Sequence, residues 1–156
     1  MKQFKHRTQV KAPLSVVAAF HHDSRALKQL TPPPVFVQLH RVEPLGDDSV
    51  ADFTLWMGPL PVRWVAVHSQ VDPMIGFTDR QVRGPFAYWV HKHSFVPQDA
   101  GTTDVIDEIQ AEFGKGLWGL LGRFMWLNLP FMFAYRGWVT RRATERNASL
   151  HGAGLK

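Results

Sequence analysis

Apolar and polar positions alternate with a period near two over most of the first 113 residues, then switch to helical spacing. A strand-rich body followed by a helical tail is the expected plan. Residues Lys2 to Lys11 predict a first strand with Phe4 and Val10 as its apolar members. Pro13 then opens a helix whose packing stripe is Leu14, Val17 and Ala18, extended by Phe20. A second short helix runs through Leu27 to Leu30 until Thr31-Pro32-Pro33-Pro34 stops it, since no helix continues through three prolines. Val35–Val42, Val50–Met57, Val62–Val71 and Phe77–Arg83 read as strands, separated by turn signals at Gly46-Asp47-Asp48, at Gly58 to Pro61, and at Asp72-Pro73 with Gly76. From Leu117 to Asn147 apolar residues recur at helical spacing, which predicts one long helix kinked near Trp126 by Pro130.

The stretch after Gly84-Pro85 organises the rest. Period-two geometry sends Trp89, His91, His93 and Phe95 to one face, and a turn near Ala100 returns the chain as a strand from Thr102 to Phe113. That register sets Lys92 opposite Glu108 on the outer face and His93 opposite Asp107 on the inner one, where Val105, Ile109 and Ala111 also lie. The inner face is then apolar except for His91, His93 and Asp107, the residues a bound molecule is expected to meet. The expected fold is α+β: a curved antiparallel sheet wrapped around a long C-terminal helix in a helix-grip arrangement, with two short helices after the first strand, in a single domain spanning residues 1–156.

Composition narrows the function. The chain is 45% apolar and 20% charged, with six Trp and eleven Phe, enough large rings to fill a core and line a cavity. With no Cys there is no disulfide, thiolate metal site or cysteine nucleophile, which fits a cytoplasmic setting. The net charge of +5 comes from scattered basic residues with no block before Arg141-Arg142, so nucleic acid is not an expected partner. The apolar-rich run between Arg123 and Arg136 is too short to span a bilayer.

Several pieces of the chain together carry a family likeness: Leu30-Thr31-Pro32-Pro33, Pro61-Val62-Arg63-Trp64, Arg83-Gly84-Pro85-Phe86, Trp89-Val90-His91-Lys92-His93-Ser94-Phe95 and Phe133-Ala134-Tyr135-Arg136. With the element order, they resemble the SRPBCC or START-like superfamily, which includes polyketide cyclase/dehydrases, the birch-pollen-allergen group and lipid-transfer domains, and in particular its small bacterial ligand-binding members. The resemblance implies a cavity between sheet and helix, used in that superfamily for lipid carriage, hormone sensing or ring-closing chemistry.

Two imidazoles on one strand face stand roughly 6.5 to 7 Å apart at Cα, close enough to chelate a metal with Asp107 or with an inward His68. The plainer alternative is a pair of hydrogen-bonded pocket histidines, and the expectation is no metal and no cofactor. His93 with Asp107, and His91 as a third candidate, also suits acid–base catalysis, against the alternative of a structural pair. Trp64 and Trp89 are candidates for stacking on a flat ligand or for core filling. Asp79 and Gln81 lie on the strand before the Gly-Pro, and since a bulge there would change which side chains face in, their orientation is open.

The leading expectation is a non-enzymatic carrier or sensor of a lipophilic or aromatic small molecule. Its site would draw on Trp64, His68, Asp79, Gln81, Trp89, His91, His93, Phe95, Asp107, Phe124 and Phe131. A cyclase/dehydratase-type enzyme using the His/Asp pair is the alternative, and an interaction module acting through an apolar lid is a third. Residual apolar surface around Trp126 and Phe131 implies a homodimer or a transient contact with a membrane surface.

Overall fold

A computed structural model describes residues 1–23 and 25–153, with side chains described as far as Ala148. Seven strands form one antiparallel sheet in the order β1-β7-β6-β5-β4-β3-β2. They are β1 (Lys2–Val10), β2 (Phe36–Val42), β3 (Val50–Met57), β4 (Leu60–Asp72), β5 (Gly76–Arg83), β6 (Phe86–Asp99) and β7 (Thr102–Phe113). Two short helices, α1 (Leu14–His22) and α2 (Ala26–Gln29), fill the connection from β1 to β2. The meander from β2 to β7 needs only short turns, and β1 closes on β7 because its partner strand is the last one made.

The helical tail differs from the expected single kinked helix. It is two helices, α3 (Gly116–Leu127) and α4 (Leu129–Ala153), parted at Asn128. Within a continuous helix Pro130 would press its ring on the carbonyl of Trp126 and remove a donor. Ending α3 at Leu127 puts Pro130 in the first turn of α4 instead, where no intrahelical donor is needed. The Asn128 amide closes α3 by donating to the Phe124 carbonyl at 2.8 Å. Gly119 and Gly122 let α3 lie close: a Cβ on Gly119 would come within 2.1 Å of the Gly114 carbonyl oxygen.

The main core lies between the sheet and α4, where Phe133 and Leu129 meet Phe53, Trp64, Trp89 and Ile109. A second cluster packs Val17 and Ala18 of α1 against Phe77, Phe95 and Val105. The β6–β7 register is the one expected, with Lys92 opposite Glu108 and His93 opposite Asp107. The ion pair on the outer face is made differently, because Glu108 is also flanked by β1 and takes Lys5, with Nζ 2.8 Å away. Gly76, at φ +139°, permits the close approach of β5 to β6 where their ladder begins: a Cβ there would sit 2.0 Å from the His93 carbonyl oxygen. That pairing sets Phe77 opposite His93 and Asp79 opposite His91. No helix among the described residues is long and apolar enough to cross a membrane.

Candidate functional site

A cavity of about 730 Å³ lies between the concave face of the sheet and the helices. Its wall is aromatic and aliphatic, with Trp64 and Trp89 meeting edge to face at 5.4 Å between ring centroids. Among its lining residues Pro33, Pro34, Gly58, Leu60, Phe124 and Phe131 are exposed, and they mark its mouth. At the opposite end four ionisable side chains from three adjacent strands converge, and they are the chemistry of the site.

Each carboxylate in that array touches both imidazoles. Asp107 Oδ1 is 2.9 Å from His91 Nε2 and 2.9 Å from His93 Nδ1, while Asp79 Oδ2 is 3.1 Å from His93 Nε2 and 3.4 Å from His91 Nδ1. The His93 Nδ1 approach is off the line that a hydrogen bond needs, so that nitrogen has a near neighbour and no hydrogen bond. The rings are 3.8 Å apart between centroids, Phe77 stacks on His93 at 4.3 Å, and Phe133 closes on His91 edge-on at 5.5 Å.

Burial alone would push Asp79 up, but hydrogen bonding and charge from His91 and His93 outweigh it and hold the carboxyl well below its usual range. Asp107 is depressed in the same way by the same two rings against the opposing effect of burial. For His91, burial works downward and the two carboxylates more than reverse it, so its pKa is raised. Arg136 of α4 reaches the same end. Burial lowers its pKa, partly offset by the charges of Asp107 and Asp79. His21, whose Nδ1 donates to the Val17 carbonyl at 2.9 Å, is pushed by burial to about 4 and is neutral at pH 7.

Most residues expected at the site reach the cavity. Trp64, His68, Asp79, Trp89, His91, His93, Phe124 and Phe131 line it. His68 is held by Ser49, with Nδ1 3.0 Å from the hydroxyl oxygen. Three do not. Asp107 faces inward as the register requires, but it stands behind the imidazoles on a separate void of about 20 Å³. Phe95 belongs to the second core cluster beneath α1, because it stands two pairs beyond His93, where the sheet is already covered by that helix. Gln81 turns to the Gly84-Pro85 connection between β5 and β6, where its amide donates to the Phe86 carbonyl at 2.8 Å.

The apolar lid is also redistributed. Trp126 is partly buried against Phe4 and Phe113, whereas Leu117, Trp118, Leu120, Phe124, Leu127 and Phe131 are the exposed large residues of the segment. Trp126 turns inward because it shares a face with Gly119 and Gly122, the residues that bring α3 onto the sheet. Arg136 and His21 were not anticipated at the site. Helical spacing holds the signal for both: Arg136 is three residues past Phe133 and His21 four past Val17, each on the buried face of its helix.

No protein-family model matches the chain, and no curated protein matches it in sequence. Solved structures do match in shape. The protein TTHA0849 from Thermus thermophilus is 17% identical, with a TM-score of 0.68 over 92% of this chain and 99% of that one. Norcoclaurine synthase from Thalictrum flavum, in complex with dopamine and hydroxybenzaldehyde, is 16% identical, with a TM-score of 0.68 over 92% of this chain and 87% of its own. The ZhuI aromatase/cyclase from Streptomyces sp. R1128 is 16% identical, with a TM-score of 0.63 over 95% and 93% of the two chains. At these identities the likeness is one of fold. The chain shares with these structures the helix-grip fold expected from its sequence.

Proposed function

We propose that the protein binds and carries a lipophilic small molecule with an aromatic or polyene body and an oxygen-bearing end. The observation that supports this reading is the polarity of the cavity along its length. Apolar rings line its wall, and polar groups gather where Asp79, His91 and His93 meet it. A volume of about 730 Å³ falls in the range of small-molecule sites, and burying an apolar ligand there gains roughly 25 cal/mol per Å² removed from water. An oxygen-bearing group on the ligand would find its polar partners at the array, which fixes orientation without covalent chemistry.

Native mass spectrometry of the protein purified from its own cells is the direct test, with bound mass expected on a substantial fraction of chains. In parallel, a panel of hydroxylated aromatic and isoprenoid compounds is added at about 100 times Kd. A true ligand at that excess stabilises by about 2.7 kcal/mol, a rise in Tm of about 5 to 10 °C for a chain of this size. Empty protein together with no shift across the panel overturns the reading.

The His–Asp contacts favour a second reading, an enzyme of cyclase/dehydratase type in which His91 or His93 moves a proton while a carboxylate holds its ring. Turnover of an unsaturated polyketone, lost in His93→Ala with binding retained, separates it from carriage.

A further inference from the structure

The hydrogen bonds of the four-residue array do not balance by themselves. A neutral imidazole has one N–H, so of the four close nitrogen–oxygen approaches only two can be hydrogen bonds. The other two set a nitrogen lone pair against a carboxylate oxygen in a buried site. One further proton on His91 would let that ring donate to both carboxylates, and completing all four approaches with protons on the rings makes both cationic at 3.8 Å from each other.

One metal cation completes it in another way. If both imidazoles give their single N–H to Asp107, from His91 Nε2 and His93 Nδ1, the remaining lone pairs belong to His91 Nδ1 and His93 Nε2. One ligand atom from each of Asp79, His91 and His93 lies within 4.8 Å of the others, and His93 Nε2 and His91 Nδ1 stand 3.1 and 3.4 Å from Asp79 Oδ2. Ligand atoms around an ion with bonds of about 2.0 to 2.2 Å stand about 3 to 3.5 Å apart, so two of the three edges already fit. A small turn of the His93 ring would align its Nδ1–H with Asp107.

We propose that Asp79 Oδ2, His91 Nδ1 and His93 Nε2 form a site for one divalent first-row transition-metal ion. Asp107 holds the far nitrogen of each imidazole, and the open coordination positions face the cavity. Two imidazoles and one carboxylate suit zinc, cobalt or ferrous iron. A carboxylate behind the ligating histidines is the arrangement that fixes their tautomer and orientation. The three donors line the large cavity and Asp107 does not, so protein closes one side of the ion and ligand space adjoins the other. Oxygen donors such as a phenolate, enolate or carboxylate are the ligand groups it would take. The sequence alone, with Asp79 unplaced, favoured a metal-free pocket; the inward Asp79 supplies the third donor.

The test uses tag-free protein, stripped with a chelator and dialysed against Zn(II) or Co(II) alone. Expected are one metal per chain, visible Co(II) absorption bands, loss of binding in Asp79→Asn and His93→Ala, and a 10- to 100-fold weaker affinity in Asp107→Asn. His40→Gln, an exposed histidine outside the array, should bind as the wild type does. If the variants fold poorly, NMR of the wild-type Co(II) protein decides, because two shifted imidazole N–H signals from His91 and His93 are required. The proposal is overturned by no stoichiometric uptake at 100-fold excess metal, by uptake that Asp79→Asn leaves unchanged, or by Co(II) protein whose His91 and His93 signals are unshifted.

Discussion

The two ends of the cavity are made by opposite means. At the inner end Asp79, His91, His93 and Asp107 come from β5, β6 and β7, whose ladders hold them, with Gly76 allowing the close approach where β5 begins to pair with β6. Every ring there has a neighbour on each side. At the mouth, α3 meets the sheet along one narrow face, through Gly122 and Trp126, and leaves Leu120, Phe124 and Leu127 between 55% and 78% exposed. Rigidity thus sits where orientation is chosen, and a lightly held apolar helix sits where a lipophilic molecule must enter. A ladder resists displacement because each residue is fixed by two neighbouring strands, whereas a helix resting on one narrow face loses little packing when it shifts.

Variants sharpen this contrast. The largest effect is expected from Asp107→Ala in chelator-treated protein, because it leaves two buried imidazoles without the carboxylate behind them. A cost of about 3 to 5 kcal/mol should appear as a Tm at least 6 °C lower. Since Asp107 stands off the cavity wall, the additional Tm gained from ligand should survive; its loss would mean that ligand reaches Asp107 directly.

The next effect is one of pH. The folded pKa of His21 is about 4, below its unfolded value near 6.5, so the unfolded chain takes up that proton first as pH falls. The stability from neutral His21 is therefore complete above pH 6.5 and lost between 6.5 and 4, at most about 3 kcal/mol. Denaturation curves of wild type and His21→Gln should diverge across that window, and parallel curves would count against the burial of this ring. Asp79 and Asp107, depressed rather than raised among the carboxylates, keep their contribution down to more acidic conditions. The smallest effect belongs to the mouth. Leu120→Ser with Leu127→Ser should change stability by less than about 0.5 kcal/mol. A fall above 1 kcal/mol that depends on protein concentration would reveal a second copy covering α3.

Much of this was legible in the sequence, for reasons that differ by residue. The β6–β7 hairpin follows from alternation and one turn, so Lys92 opposite Glu108, His93 opposite Asp107 and the inward His91 were determined locally. The two short helices and the sheet could be read from prolines, glycines and periodicity. Asp79 could not be oriented, because the β4–β5 register shifts at Val82, opposite Val65 and Ala66, and again between Ser69 and Asp72, the β6–β7 register shifts past Phe86, and each extra residue reverses which face a side chain takes. The break at Asn128 depended on whether Pro130 would bend a helix or begin one, and the need of Leu129 and Phe133 to reach the core decided that. Periodicity names the residues that share a face. Which strand crosses which, and therefore that two aspartates rather than one close on the histidines, was decided only when the sheet curved around α4, because contacts between β5 and β7 pass through β6 and leave no local trace in the chain.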